Sequence, residues 1–210
     1  MAHGRNRKAL LAAGVALLAA ATVGSAQAPG NAAPAARCSA LAGPVGSGVA
    51  VTEATLEAAG PMAGAPGRPA LTLPENCRVR GVIDRRTGVG GREFGVGFEL
   101  RLPTDWNGRF LFQGGGGLDG VINPAIGNVA NSAQAPALAR GFAVVSTDAG
   151  HSGSLVDASF GSDQQARIDY AYDAIGKVTP AAKALVERFY GRAPAHSYFA
   201  GCSNGGRQAL

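Results

Sequence analysis

The chain has 210 residues, of which 46% are hydrophobic and 32 are glycine, and its formal net charge is +5. This length is enough to bury one core of ordinary size. Beyond the first residues there is no Lys/Arg cluster with interleaved aromatic residues, so the sequence indicates no nucleic-acid partner and no attraction to an acidic membrane surface.

The N-terminus has the three parts of a secretory signal peptide. Three basic residues among the first eight precede an apolar run over residues 9–24, and the small residues Ala26 and Ala28 follow. A membrane anchor is the less favoured alternative, because the run is shorter than the roughly 20 apolar residues that cross a bilayer. We therefore predict a signal peptide over residues 1–28 and a secreted or periplasmic protein with no membrane partner after cleavage. Loss of those three basic residues lowers the net charge from +5 to +2.

An Ala/Pro-rich linker is predicted over residues 29–37, and the folded catalytic region is predicted over residues 38–210. Export permits disulfides, and the three cysteines, Cys38, Cys77 and Cys202, leave one without a partner. Closing the loop between Cys38 and Cys77 would stabilise the fold by about 4 kcal/mol in the chain-entropy model. Cys202 is then either a buried free thiol or, as we favour, the partner of a cysteine beyond Leu210.

Two strand-like runs come first in the folded region, over residues 77–84 and 93–102, with a glycine-rich turn between them. The second run alternates apolar residues on one face. This pattern predicts an antiparallel N-terminal strand pair.

Strand-like and helical patterns then alternate, which predicts an α/β fold with a mostly parallel sheet. The strand-like runs are residues 109–112, 141–147 and 198–201. The helical patterns are residues 166–178 and a second helix with Thr179 as its N-cap, Pro180 in its first turn and Gly191 at its end.

The pattern Gly201-x-Ser203-x-Gly205 follows the last strand directly and precedes a segment compatible with a helix. A nucleophile elbow needs this context, because the strained turn that exposes the hydroxyl tolerates only small neighbours. The turn also places the backbone N–H of Asn204 where an oxyanion would form. We therefore predict that Ser203 is a catalytic nucleophile on an α/β-hydrolase-type sheet.

Four consecutive glycines, residues 114–117, follow the predicted strand at 109–112. In esterases an amide from this loop completes the oxyanion hole, and glycine lets the backbone approach the substrate carbonyl closely. We predict that this loop acts there together with the amide of Asn204. The alternative is an exported binding module, without catalysis, whose glycine loops are only turns.

The spacing Gly115-x-Gly117-x-x-Gly120 also matches a dinucleotide-binding fingerprint, which supports an oxidoreductase as a weaker alternative. That fingerprint must open a helix, whereas Asn123 and Pro124 interrupt the segment here. No cofactor is predicted for the chain.

A serine hydroxyl needs a base to take its proton, and the chain has three histidines. His3 lies in the predicted signal peptide, and His196 is too close in sequence to fold back over Ser203. His151 follows a strand end and is predicted to have a structural or pocket-lining role, because it precedes the serine whereas the triad histidine follows it. Asp148 is not expected to be the triad acid for the same reason, because it also precedes Ser203.

Several long motifs in one order resemble the tannase and feruloyl esterase family. They are Trp-Asn-Gly-Arg-Phe at 106–110 with the four glycines, the segment 144–153, the segment 183–191, and Gly-Cys-Ser-x-Gly-Gly-Arg at 201–207. The resemblance runs from about Cys38 to the end of the sequence.

This resemblance implies a serine carboxylesterase that hydrolyses esters of aromatic acids, such as feruloyl or galloyl esters, through an acyl-enzyme. It implies an early disulfide like Cys38 with Cys77, and a partner for Cys202 beside the catalytic histidine. It also implies that amides near Gly116 or Gly117 and at Asn204 form the oxyanion hole. In the family the acid, the histidine and a lid domain that often holds calcium lie downstream of the serine. We therefore expect the chain to be the N-terminal part of such an enzyme, truncated after the nucleophile elbow and inactive alone.

Overall fold

The computed structural model describes Met1 and residues 32–46, 48–62, 70–128 and 135–210. The predicted signal peptide, apart from Met1, and the first part of the predicted linker lie outside these residues.

The described residues form nine strands and four α-helices. The strands are β1 Gly43–Pro44, β2 Val49–Glu57, β3 Gly60–Met62, β4 Leu71–Leu73, β5 Asn76–Thr87, β6 Glu93–Pro103, β7 Arg109–Gln113, β8 Ala143–Thr147 and β9 His196–Ala200. The helices are α1 Pro34–Ser39, α2 Gln164–Ile168, α3 Ala174–Tyr190 and α4 Asn204–Gln208. A π-helical turn, Asp169–Asp173, joins α2 to α3.

Seven strands form a mixed sheet in the order β1-β2-β5-β6-β8-β7-β9, while β3 and β4 pair separately. The predicted antiparallel pair is confirmed, because β5 and β6 align with Val79 opposite Leu100. The antiparallel region is larger than this pair. It also contains β1 and β2, which the sequence analysis did not predict, and it continues into β8, which pairs antiparallel with β6.

Strands β8, β7 and β9 are the parallel part of the sheet. Their registers place Phe112 opposite Val145 on one side and opposite Phe199 on the other. Because parallel strands end at the same edge, the segments that follow them meet there. These segments are residues 114–117, residues 148–151 and the turn at Ser203.

One helix, α3, covers a face of this sheet. Its buried side chains recur at helical spacing and pack in one cluster with inward side chains of β5, β6, β7 and β8. The helix residues in this cluster are Ala174, Val178, Ala182, Leu185, Val186 and Phe189. The helix ends at Gly191 in the left-handed region, with φ of 73°, as predicted.

The predicted helix start at Thr179 is wrong, because α3 runs through this position without a break. The Thr179 hydroxyl donates to the carbonyl of Ile175, four residues earlier, and so does not cap a new helix. Pro180 lies in the helix interior, where it removes one backbone hydrogen bond. Burial of the continuous apolar stripe of α3 outweighs the tendency of Thr179 and Pro180 to interrupt the helix.

A disulfide joins Cys38 of α1 to Cys77 of β5, with 5.6 Å between the Cα atoms. Helix α1 spans Pro34–Ser39, so its first turn lies in the stretch predicted as a linker. Proline suits the first helical position, and the buried disulfide ties the short helix to the sheet. No helix in the described part of the chain is both long and apolar enough to cross a bilayer.

Candidate functional site

Ser203 occupies a sharp turn between a strand and a helix. Strand β9 ends at Ala200, and α4 begins at Asn204. Ser203 has φ of 57° and ψ of −124°, a conformation that costs a residue with a side chain about 1–3 kcal/mol. Its side chain is exposed. The local structure is therefore the strand, strained turn and helix that the sequence predicted for a nucleophile elbow.

The glycine loop after β7 packs directly against this turn. The N–H of Gly114 donates to the carbonyl of Ala200 over 2.9 Å, and the N–H of Gly115 donates to Oε1 of Gln208 over 3.0 Å. A Cβ atom on Gly114 would lie 2.8 Å from the Cα atom of Gly205, so the two backbones are in contact. The structure thus brings together the two segments that the sequence analysis assigned to an oxyanion hole.

Gly116 and Gly117 follow at the exposed end of this loop. The backbone N–H groups of Gly116 and Gly117 donate no hydrogen bond to any residue that the structure describes. Gly117 has φ of 56°, and a Cβ atom there would overlap the carbonyl oxygen of Leu155, so both its conformation and its surroundings require glycine. As the first residue of α4, Asn204 also has a backbone N–H without a partner in its own helix. These amides are available to bind an anion.

The dinucleotide-binding alternative is wrong. Residues 114–128 form turns, bends and irregular segments without a helix, whereas the fingerprint at Gly115, Gly117 and Gly120 has to open one. Gly120 instead contacts the segment after β8, since its N–H donates to the carbonyl of Asp148 and its carbonyl accepts from Gly153.

His151 is buried, with 1% of its surface exposed. Its ring stacks on Phe160, with 3.9 Å between the ring centroids, and meets the edge of Tyr170 at 6.3 Å. Neither ring nitrogen has a hydrogen-bond partner among the described residues, and desolvation lowers the pKa of the imidazole. Of the two roles that the sequence left open, this environment favours the structural one. His196 begins β9, at the opposite end of the strand from Ser203.

Asp148 lies at the same sheet edge and is also buried. Its Oδ1 accepts hydrogen bonds from the N–H groups of Gly97 and Gly150, at 3.0 and 2.9 Å. Desolvation is the largest influence and raises the pKa of this carboxyl group to about 7, with the nearby Asp119 acting in the same direction. The carboxylate shapes the loop that holds His151.

The sequence analysis missed a second buried carboxylate, Asp119, with 1% exposure. It accepts hydrogen bonds from the side-chain amides of Asn204 and Gln208. The Asn204 side chain also accepts from Arg207 Nε over 2.7 Å and from the Tyr170 hydroxyl over 3.2 Å. An acidic residue two positions after the four glycines was the available sequence signal, but its partners are 85 and 89 residues away.

Cys202 is exposed, and within the described residues it has no disulfide partner. The alternative of a buried free thiol is therefore wrong, and the favoured interpretation, a partner cysteine beyond Leu210, stays a prediction. Among the described residues no three His, Cys, Asp or Glu side chains are grouped as a metal site requires. The calcium expectation concerned a lid domain and stays a prediction.

The sequence profile described as "Tannase and feruloyl esterase" matches residues 77–210. A mono(2-hydroxyethyl) terephthalate hydrolase of Piscinibacter sakaiensis is 45% identical over 148 residues, which are 67% of this chain and 24% of that protein. A probable feruloyl esterase B-2 of Aspergillus flavus is 40% identical over 112 residues, 53% of this chain and 20% of that protein. The chain thus spans about a quarter or less of the length of these relatives, which by name are all carboxylic ester hydrolases.

The fold is similar to that of a solved feruloyl esterase B from Aspergillus oryzae. The TM-score is 0.66 at 28% identity, and the likeness covers 84% of this chain and 33% of that one. A tannin acyl hydrolase from Aspergillus niger shares the fold with a TM-score of 0.52. These likenesses confirm the predicted α/β-hydrolase-type fold class.

Proposed function

Since the chain belongs to the tannase and feruloyl esterase family, we propose that it carries the nucleophile and the oxyanion-binding amides of a serine carboxylesterase. The observation that carries this proposal is the backbone of Ser203, with φ of 57° and ψ of −124° between β9 and α4. A strained conformation at an exposed serine is costly, and it persists where it serves to present the hydroxyl to a substrate.

In the proposed reaction the Oγ atom of Ser203 attacks the carbonyl carbon of an ester, and its proton passes to a general base. The carbonyl oxygen becomes an oxyanion, which the N–H groups of Asn204 and of Gly116 or Gly117 stabilise. Collapse of the tetrahedral intermediate expels the alcohol, which receives the proton from the base. Water then attacks the acyl-enzyme in the same way and releases the acid.

We propose that the base is a histidine outside this chain, supported by a carboxylate that is also outside it. Among the described residues no histidine hydrogen-bonds Ser203: His151 is enclosed by aromatic rings and His196 begins the strand that Ser203 follows. The chain also spans only 24% of the terephthalate hydrolase that it resembles. The isolated chain is therefore expected to be inactive, and the exposed Cys202 to pair with a cysteine near that histidine.

The proposed substrates are esters of aromatic acids. Two relatives carry such a substrate in their names, a terephthalate monoester for one and feruloyl esters for the other. Export is proposed as well. It is supported by the signal-like residues 1–28 and by the disulfide between Cys38 and Cys77, since disulfides persist in oxidising compartments.

Labelling with a fluorophosphonate probe tests the proposal, because only an activated serine reacts. In the complete gene product we expect one label, located by mass spectrometry at Ser203, together with hydrolysis of a feruloyl or terephthaloyl ester. Both are lost in Ser203→Ala and retained in Ser197→Ala, a matched change of an exposed serine in β9.

Absence of labelling and of hydrolysis in the wild-type protein would favour the alternative of an exported binding module. Hydrolysis by the 210-residue chain alone, lost in Ser203→Ala, would contradict the placement of the base outside this chain. It would then point to His151.

A further inference from the structure

The buried carboxylate of Asp119 has no part in the proposed reaction, yet it lies between the two segments that carry it out. Asp119 belongs to the loop after β7, where its N–H donates to the carbonyl of Gly116 over 2.9 Å. Its φ of 53° is unusual for a residue with a side chain. Burying a carboxylate is also costly unless it is fully hydrogen-bonded. Because the backbone conformation and the burial of Asp119 both cost free energy, a favourable contact has to compensate for them.

Two side-chain amides of α4 supply that contact. Asn204 and Gln208 are four residues apart and therefore lie on one face of the helix. Nδ2 of Asn204 donates to Oδ1 of Asp119, and Nε2 of Gln208 donates to Oδ2 over 2.7 Å. The carboxylate thus spans one helical turn, with one oxygen on each amide.

An ionised carboxylate only accepts hydrogen bonds, so it fixes the orientation of both amides. Each amide has to turn its NH₂ group to Asp119, which leaves its oxygen free to accept from elsewhere. Oε1 of Gln208 accepts from the N–H of Gly115, and Oδ1 of Asn204 accepts from Arg207 and Tyr170. A neutral residue at position 119 would not impose these orientations.

Arg207 extends the connection to the π-helical turn. Its guanidinium donates to the carbonyls of Tyr170 and Ala171 over 2.9 and 2.6 Å and lies over the Tyr170 ring. The helix after Ser203 is therefore held on two sides, by Asp119 from the glycine loop and by the residues around Tyr170.

We propose that Asp119 is a positioning residue that sets the distance between the amides of Gly116 and Gly117 and the amide of Asn204. The proposal rests on the proposed function, in which these amides stabilise the oxyanion. Preorganised donors act through their placement, and a displacement of 1 Å in such a site costs about a hundredfold in rate.

The charged groups that interact with Asp119 are Arg207 and Asp148, and the ring of His151 lies against the neighbouring Gly120. Burial raises the pKa of Asp119, with its hydrogen bonds to Gln208 and Asn204 and the charge of Arg207 opposing this shift. A protonated Asp119 would donate through one oxygen, and one of the two amides would then lose its acceptor. Esterase activity is therefore expected to fall as the pH is lowered, beginning at a pH above the ordinary pKa of an aspartate.

The test compares Asp119→Asn, Asp119→Ala and Gln208→Leu with Asp105→Asn, an exposed carboxylate at the opposite edge of the sheet. Kinetics with a feruloyl or terephthaloyl ester use the complete gene product. Hydrogen exchange of the amides in residues 114–120 uses the same protein. Asp119→Asn keeps the size of the side chain, and Gln208→Leu leaves the carboxylate in place, so one of them remains informative if Asp119→Ala does not fold.

We expect kcat to fall about a hundredfold in the position-119 variants, with KM within about threefold, because the oxyanion forms only in the transition state. Exchange in residues 114–120 should accelerate at least about tenfold, and Asp119→Asn should lose the part of the acidic limb that Asp119 contributes, while the part due to the catalytic base stays. Gln208→Leu should accelerate exchange at Gly115. A loss of stability with unchanged kcat and pH profile would overturn the proposal.

The outcome for the proposed function is separate. If the wild-type protein neither hydrolyses esters nor reacts with a fluorophosphonate, the esterase proposal fails. Exchange then decides on Asp119 alone: faster exchange in the variants supports its positioning of the loop, and unchanged exchange overturns it.

Discussion

Gly201 and Gly205 face each other across the turn that carries Ser203, so closely that a Cβ atom on Gly201 would overlap the carbonyl group of Gly205. On its other side, a Cβ atom on Gly205 would lie 2.8 Å from the carbonyl oxygen of Gly115. The opposing groups are backbone atoms, which cannot rotate away. The turn is thus packed backbone against backbone between α4 and the glycine loop.

Alanine at position 201 or 205 is expected to lower the free energy of unfolding by about 2 kcal/mol or more, because the backbone has to shift to admit the methyl group. Gly161→Ala is the matched control, since a Cβ atom there meets nothing within 4 Å, and its effect should stay within about 0.5 kcal/mol. Urea denaturation measures all three. Equal losses in the three variants would contradict close packing at the turn.

Ser203→Gly is expected to raise the free energy of unfolding by about 1 kcal/mol while removing the hydroxyl. The reason is that glycine adopts φ of 57° and ψ of −124° without the steric cost that a side chain has. Ser203→Ala removes the same hydroxyl but keeps the Cβ atom, so it should give no such gain. Thermal or urea denaturation distinguishes the two, and a gain in the alanine variant would argue against backbone strain.

Removal of the disulfide in Cys38→Ala/Cys77→Ala is expected to lower the free energy of unfolding by about 4 kcal/mol, because the unfolded chain regains the freedom of a long loop. The two cysteines are 39 residues apart in sequence. Reductant should destabilise the wild-type protein similarly and leave the double variant unchanged. Cys202→Ser controls for thiol chemistry, and in this chain it should not alter stability, since Cys202 is exposed.

Asp148 is expected to make the fold less stable as pH rises from about 4 to about 7. Its pKa is about 7 in the fold, against 3.8 as the ordinary value. Between these values the folded protein keeps a proton that the unfolded chain has released, so the free energy of unfolding falls by up to about 1.4 kcal/mol per pH unit. His151 acts in the opposite sense, because its pKa is lowered and its protonation destabilises the fold.

Asp148→Asn separates these two contributions. The variant keeps an oxygen to accept from Gly97 and Gly150 but does not titrate. The difference in unfolding free energy, variant minus wild type, should therefore increase between pH 4 and pH 7 when urea denaturation is repeated across this range. Asp105→Asn, at an exposed position, should give a flat difference. A flat difference for Asp148→Asn as well would exclude a carboxyl group that titrates near neutral pH.

Strands β5 to β9 and the elbow could be predicted because their signals are local, whereas β1 to β4 were not predicted. Strand-like runs predicted β5 and β6, with alternating apolar residues in β6, and glycines around a serine after a strand predicted the turn. The course of α3 could not be predicted in the same way. Thr179 and Pro180 carry a helix-start signal, and only the packing of a long apolar stripe against the sheet overrides it.

The sequence predicted the turn at Ser203 and the glycine loop of the candidate site, but it did not predict the contact of Asp119 with α4. Ser203 and the glycine loop stand in recognisable motifs. Asp119 and its partners Asn204 and Gln208 form no motif, because the contact joins residues more than 80 positions apart and depends on the parallel pairing of β7 with β9. Long-range pairing of this kind is fixed by the tertiary fold.

Because β8, β7 and β9 run in one direction, Ser203 and the glycine loop lie at one edge of the sheet. The opposite edge is formed by the segments before these strands, where the N–H of Ala195 donates to the carbonyl of Gly108 and Arg192 is exposed. Immobilisation on a solid support through residues 192–193 would therefore leave Ser203 open to the solution. The same attachment at residues 153–156 would obstruct it.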